Sequence, residues 1–160
     1  PVSILLVRHG SAGDPYRWSG DDAERPLDAG GRDQADRLPD AVGPVLCGRP
    51  LAAIRSSRAV RCLQTVGPLA AHHGLAVDDD PALFEGGSST TTKLVRRLAA
   101  DPSVDGRVVV LCSHSDVIPD VVRDVVSDGA GLSGGRGCAY ASVWELTVAD
   151  GVVTHAHYHQ

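Results

Sequence analysis

Two short, unbroken apolar runs constrain this chain more than any other feature: Ser3–Val7 (SILLV) and Val108–Cys112 (VVVLC). Both are rich in branched side chains, as strands covered on two faces of a parallel sheet must be. Leu51–Ile54 is a weaker run of the same kind. Helical patterns lie between the runs. One opens at Asp28, a good N-cap, and carries Ala35 and Leu38 before Pro39, which is expected to end or kink it. A second runs from Ser57 to about His73, with Leu63, Val66, Leu69 and Ala70 on one face, and His72 and His73 suit the negative end of its dipole. A third follows Thr90–Thr92 and holds Leu94, Val95, Leu98 and Ala99; a fourth spans about Val117 to Val126. Two late strands, near Ala141–Val148 and Val152–His157, flank Ala149-Asp150-Gly151, a hairpin signal. Gly86–Ser89 and Gly129–Gly137 read as loops. Strands alternating with helices predict an α/β three-layer sandwich. Its central sheet is mostly parallel, with helices on both faces and an antiparallel C-terminal hairpin.

The 160 residues supply one hydrophobic core, so residues 1–160 read as a single domain, with excision from a longer two-domain chain left open. A formal charge of -5 argues against a nucleic-acid partner, which needs a basic surface to displace phosphate counterions. No apolar stretch approaches the roughly 18 residues of a membrane span. The opening PVSILLVRHG lacks the basic start and cleavage site of a signal peptide. The four cysteines form no CxxC pair, and Cys62 and Cys112 read as small buried hydrophobes, so a reducing cytoplasm is the expected location.

Ligands of open α/β sheets bind beyond the carboxyl ends of the strands. The first run delivers Arg8-His9-Gly10 there, and the later one delivers Ser113-His114-Ser115. The run at Leu51 leads to Ser56-Ser57 and then to Arg58 and Arg61, which fall on one face of the predicted helix. Glu85 follows a strand-like segment, PALFE. A phosphate monoester carries close to two negative charges, which attack by a neutral imidazole requires to be offset. Each cation within about 4 Å contributes on the order of 4 kcal/mol at an effective dielectric near 20, before desolvation. Two arginines and a second histidine suit that load, and a carboxylic acid opposite can protonate the leaving oxygen.

LLVRHG, RPLDAGGRDQA (Arg25–Ala35), SSRAVRCLQT (Ser56–Thr65), PALFEG (Pro81–Gly86) and LCSHSD (Leu111–Asp116) together resemble the histidine phosphatase superfamily, the phosphoglycerate-mutase-like group. The blocks keep the family's order and spacing over nearly the whole chain. The resemblance implies His9 as nucleophile, Arg8 and Arg61 as phosphate ligands and His114 as the second histidine of the pocket. It sets Glu85 near the proton donor's place, against the plain reading of a solvent-facing loop carboxylate. Gly10, Ser115 and Ser19 complete the expected substrate contacts. Arg58 stands where many members have Pro, and reads as a peripheral residue.

The little chain between Glu85 and His114 resembles the uncapped SixA-type phosphohistidine phosphatases. WSGDDAERPLD, RAVRCLQTVGPLAA and VIPDVV are similar to the C-terminal domain of two-domain Nudix (MutT-type) hydrolases. The resemblance therefore implies a phosphatase working through a phosphohistidine on His9, without cofactor or metal. Its partner is a phosphoprotein, a small phosphate ester or a nucleotide. The rival readings are a nucleotide-directed domain of a Nudix fusion and a non-catalytic phosphate-binding domain. His155, His157 and His159 alternate on one strand face; a frayed, solvated terminus is preferred there over a metal site. Trp18 reads equally as a rim of the substrate mouth or a cap on the core.

Overall fold

The computed structural model describes residues 1–160. Its strands are β1 (Ser3–Arg8), β2 (Leu51–Ser56), β3 (Val77–Asp79), β4 (Val108–Ser113), β5 (Gly131–Ser133), β6 (Val143–Ala149) and β7 (Val152–His159). The helices are α1 (Ala29–Leu46), α2 (Val60–His73), α3 (Ser88–Ala99) and α4 (Ile118–Ser127). One seven-stranded sheet runs in the order β3-β2-β4-β1-β6-β7-β5. β1, β2, β3 and β4 pair in parallel, β6 is antiparallel to β1 and to β7, and β5 runs parallel to β7.

Period-two alternation in the central strands divides the core into two layers. Leu5, Val7, Val108, Val110 and Cys112 face Leu38, Val42 and Leu46 of α1 and Cys62, Val66 and Leu69 of α2. Ile4, Leu6, Val109 and Leu111 face Leu94, Val95 and Leu98 of α3 and Ile118 and Val121 of α4. The continuous apolar runs are thus fully buried strands with a helical layer on each side, and Cys62 and Cys112 belong to the core.

Local departures from the sequence pattern have physical causes. α1 passes through Pro39 and Pro44 instead of stopping at Pro39. A proline inside a helix costs about 3 kcal/mol, whereas Leu38, Val42 and Leu46 each contribute roughly 1.5–3 kcal/mol on burial, and the burial wins. α2 starts at Val60 rather than Ser57, because the Ser57 amide still pairs with the Cys112 carbonyl at 3.0 Å. Arg58 and Arg61 therefore do not share a helical face. PALFE is not a strand: Pro81–Leu83 is a 3-10 turn capped by the Asp80 carboxylate. Ser88 and Ser89 begin α3 instead of lying in a loop.

Within the expected loop Gly129–Gly137, residues 131–133 form β5, held on β7 by a side-chain bridge. Ser133 Oγ lies 2.6 Å from His155 Nε2 and 2.7 Å from His157 Nδ1. His159 Nε2 meets Glu145 Oε1 at 2.9 Å. The C-terminal histidines are therefore part of an ordered strand rather than a frayed end. No cluster of three His, Cys, Asp or Glu side chains is placed to hold a metal ion, and no helix is long and apolar enough to cross a membrane.

Candidate active site

The carboxyl ends of β1, β2 and β4 are tied into one edge. Arg8 pairs with Ser113 across β1 and β4, and the His9 amide donates to the Ser113 carbonyl at 3.1 Å. A cleft of about 400 Å³ opens above this edge, lined by Arg8, His9, Arg61, Glu85, His114 and Ser115 among others. The His9 Nδ1 is 2.7 Å from the Gly10 carbonyl, an acceptor only, so the ring proton sits on Nδ1. Its Nε2 keeps a lone pair for the cleft. The His9 and His114 rings stand edge to face at 5.4 Å. His114 Nε2 is engaged by Ser57 Oγ at 2.8 Å, with Cys62 Sγ at 3.6 Å. This leaves the His114 Nδ1 for a ligand.

Three guanidinium groups surround the histidines. Arg8 donates through Nη1 to the Cys138 carbonyl at 2.7 Å and lies 4.1 Å over the Tyr140 ring. Arg61, 2% exposed, donates through Nη1 to the Asp22 carbonyl at 2.8 Å. Its Nη2 meets Asp22 Oδ2 at 3.2 Å and Glu85 Oε2 at 3.3 Å. The Nε atoms of Arg8 and Arg61 are buried without a partner in the chain. Arg25 bonds Asp22 Oδ1 at 2.9 Å and the Ala12 carbonyl at 2.7 Å. Its hydrogen bond, with help from Arg61, holds the Asp22 carboxyl below the usual carboxylate range.

Burial pushes the His9 pKa down to about 4, against the Gly10 carbonyl, which favours the cation. The charges of His114, Arg61 and Arg8 add to the lowering. His9 is therefore neutral at pH 7, with a lone pair on Nε2.

Of the residues predicted from sequence, Arg8, His9, Arg61, Glu85, His114 and Ser115 are brought to the cleft. Gly10 differs in role: its amide donates to Thr65 Oγ1 at 2.9 Å, so it positions His9 instead of presenting a donor to substrate. Ser19 is exposed and lies outside the residues that line the cleft. Trp18 lines an adjoining shallow groove that shares Ala12, Gly13 and Arg25 with the cleft. Arg58 stacks 4.2 Å over Phe84 at the surface. Sequence reasoning missed Ser57, Asp116 and Tyr140. Ser57 and Asp116 lie inside the quoted motifs, so a closer reading of those blocks had a signal for them. Tyr140 had none, because its loop reaches His9 only through the fold: the Ala141 amide donates to the His9 carbonyl at 3.3 Å.

The model of the histidine phosphatase superfamily (branch 1) matches residues 4–94. The chain belongs to that superfamily. An 8-oxo-(d)GTP phosphatase of Mycolicibacterium smegmatis is 31% identical over 156 residues, 98% of this chain and 47% of that protein. This histidine phosphatase chain thus spans about half the length of that curated relative. Among solved structures, the protein histidine phosphatase SixA complexed with tungstate superposes with a TM-score of 0.73 at 15% identity, covering 99% of this chain and 94% of that one. A mycobacterial glucosyl-3-phosphoglycerate phosphatase complexed with VO3 gives 0.68 at 18% identity, covering 91% and 92%. The α/β sandwich expected from sequence is the fold of these phosphatases, with the antiparallel hairpin at β6–β7.

Proposed function

We propose that this histidine phosphatase hydrolyses phosphate esters or phosphohistidine through a covalent phosphohistidine on His9, without a metal. The observation that carries the proposal is the His9–Gly10 hydrogen bond, which fixes the tautomer with Nε2 free beneath the cleft. In the first step Nε2 bonds to phosphorus and the bond to the leaving atom breaks, an oxygen in an ester and an imidazole nitrogen in phosphohistidine. Arg8, Arg61 and the His114 Nδ1 offset the charge of the transferring group, preorganised donors in a partly water-excluded site. Glu85, at the rim beside Arg61, or a water in its place, gives a proton to the leaving atom. In the second step the same group accepts a proton from the attacking water as the water oxygen bonds to phosphorus and the P–N bond to His9 breaks. Two structural neighbours are complexes with oxyanions, tungstate and VO3, which supports a phosphate-like ligand for this fold.

Hydrolysis of p-nitrophenyl phosphate by the wild type and by His9→Ala, with EDTA present, tests the reading. Turnover that survives the chelator and disappears in the variant is expected, along with an acid-labile phosphoryl adduct on the wild type alone. Equal turnover in both proteins overturns it. A second reading, a nucleotide-directed phosphatase domain, is favoured by the name of the mycobacterial relative, which aligns along nearly all of this chain. A substrate screen setting nucleotides against a phosphohistidine protein separates the two readings.

A further inference from the structure

The cleft walls are mostly polar or charged; Ala12 and Pro15 add small apolar contacts, and Tyr140 supplies the one large carbon ring. Its ring is backed by the Arg8 guanidinium at 4.1 Å and stands 6.1 Å from the His9 ring, centroid to centroid. The side chain is nonetheless 46% exposed, and its hydroxyl makes no hydrogen bond within the chain. A left-handed backbone at Ala141 (φ 59) and the Ser142-to-Ala139 turn hydrogen bond fix the loop that presents it. A tyrosine needed only to cover Arg8 has no cause to leave so much ring in an open cleft beside the nucleophile. Any group attached to a phosphate held at His9 must pass these walls.

We infer that Tyr140 is a specificity-determining residue, a stacking surface that selects substrates whose leaving group carries a planar ring. The inference rests on the placing of the phosphoryl group at His9 proposed above, and it adds the class of leaving group. A cation on one face of an aromatic ring and a planar ring on the other is a favourable arrangement for both partners. The planar ring has two possible sources: one bonded directly at the phosphoryl group, as in an aryl phosphate or phosphorylated imidazole, or the base of a nucleotide.

The test is calorimetric binding of phenylphosphonate, methylphosphonate and the 5′-methylenephosphonate analogue of GMP to the wild type, Tyr140→Phe and Tyr140→Ala, with thermal melts to confirm folding. The wild type and Tyr140→Phe are expected to prefer phenylphosphonate over methylphosphonate by about tenfold, a typical value for stacking of one ring. Tyr140→Ala is expected to abolish that preference with much less change in methylphosphonate affinity. If instead the alanine variant weakens the nucleotide phosphonate selectively, the ring it receives is a nucleobase. Equal weakening of all three ligands shows that Tyr140 acts only through Arg8 and overturns the inference, as does a wild type with no preference for rings. Phosphonates are not hydrolysed, so the His9→Ala turnover assay can fail without touching this result.

Discussion

His9 illustrates how one side chain's environment sets its chemistry. Burial and neighbouring cations hold its pKa near 4, so about nine-tenths of the imidazole is still neutral at pH 5. An NMR titration of the His9 ring is expected to show its midpoint near pH 4, with kcat/KM free of a His9 limb above about pH 5; a midpoint near 6.5 overturns the assignment. Arg61 is the buried cation of the site, and its forked contacts to Asp22 and Glu85 need two terminal nitrogens. Arg61→Lys is therefore not conservative: we expect kcat to fall by about 10²–10³ in steady-state assays, the usual loss when a preorganised donor is removed. The gathering of Arg8, His9, Arg61, Glu85 and His114 in one cleft was legible in sequence because each follows a strand or sits in a motif of fixed spacing. Ser19 was misplaced because nothing in the loop after Gly13 fixes its direction by periodicity.

At the scale of elements, packing overrides local signals. α1 docks so closely on the chain leaving β1 that a Cβ at Gly31 would lie 1.9 Å from the Ser11 carbonyl oxygen. Since that obstacle is backbone, Gly31→Ala should destabilise the domain by about 3 kcal/mol or more in urea unfolding and reduce activity by shifting the segment beside His9. Gly43, exposed in the same helix with open space around it, is the control: Gly43→Ala should stabilise by up to about 1 kcal/mol. Long apolar periodicities made α1, α3, α4 and the central strands readable. β5 was not, since three residues in a glycine-rich stretch carry no periodic pattern, and the β7 partner that pairs with them and gives Ser133 two imidazoles lies more than twenty residues away in sequence. The 3-10 turn at Pro81–Leu83 was hidden for a related reason, being specified by the Asp80 cap and Pro81 rather than by alternation.

For the whole molecule, the depressed His9 pKa links stability to pH. The unfolded chain protonates His9 near pH 6.5 and the folded one only near 4, so between those values the unfolded state binds more protons. Stability from this group is complete above about pH 6.5 and is lost as pH falls toward 4, by on the order of 3 kcal/mol. Urea midpoints at pH 7 and pH 4.5 should therefore differ less in His9→Asn than in the wild type. A second expectation concerns closure of the sheet. β7 lies between β6 and β5 and buries Ala156 and Tyr158 against the layer of α3 and α4. A chain ending at Ala149 should lose cooperative unfolding, which circular dichroism during urea titration will show.

The pairing of Arg8 with Ser113 has a consequence for how such a protein can diverge. Neighbouring strands sit about 4.8 Å apart whatever their side chains, so the spacing of His9 and His114 is inherited from backbone geometry rather than negotiated residue by residue. Mutation is then free to rewrite most of the sequence while the pair of histidines keeps its dimensions. The rest of the cleft is walled in part by the turn that carries Glu85 and the loop that carries Tyr140, and neither is bound by strand spacing. New substrates can be acquired there by changing a few loop residues, with the machinery beneath left untouched.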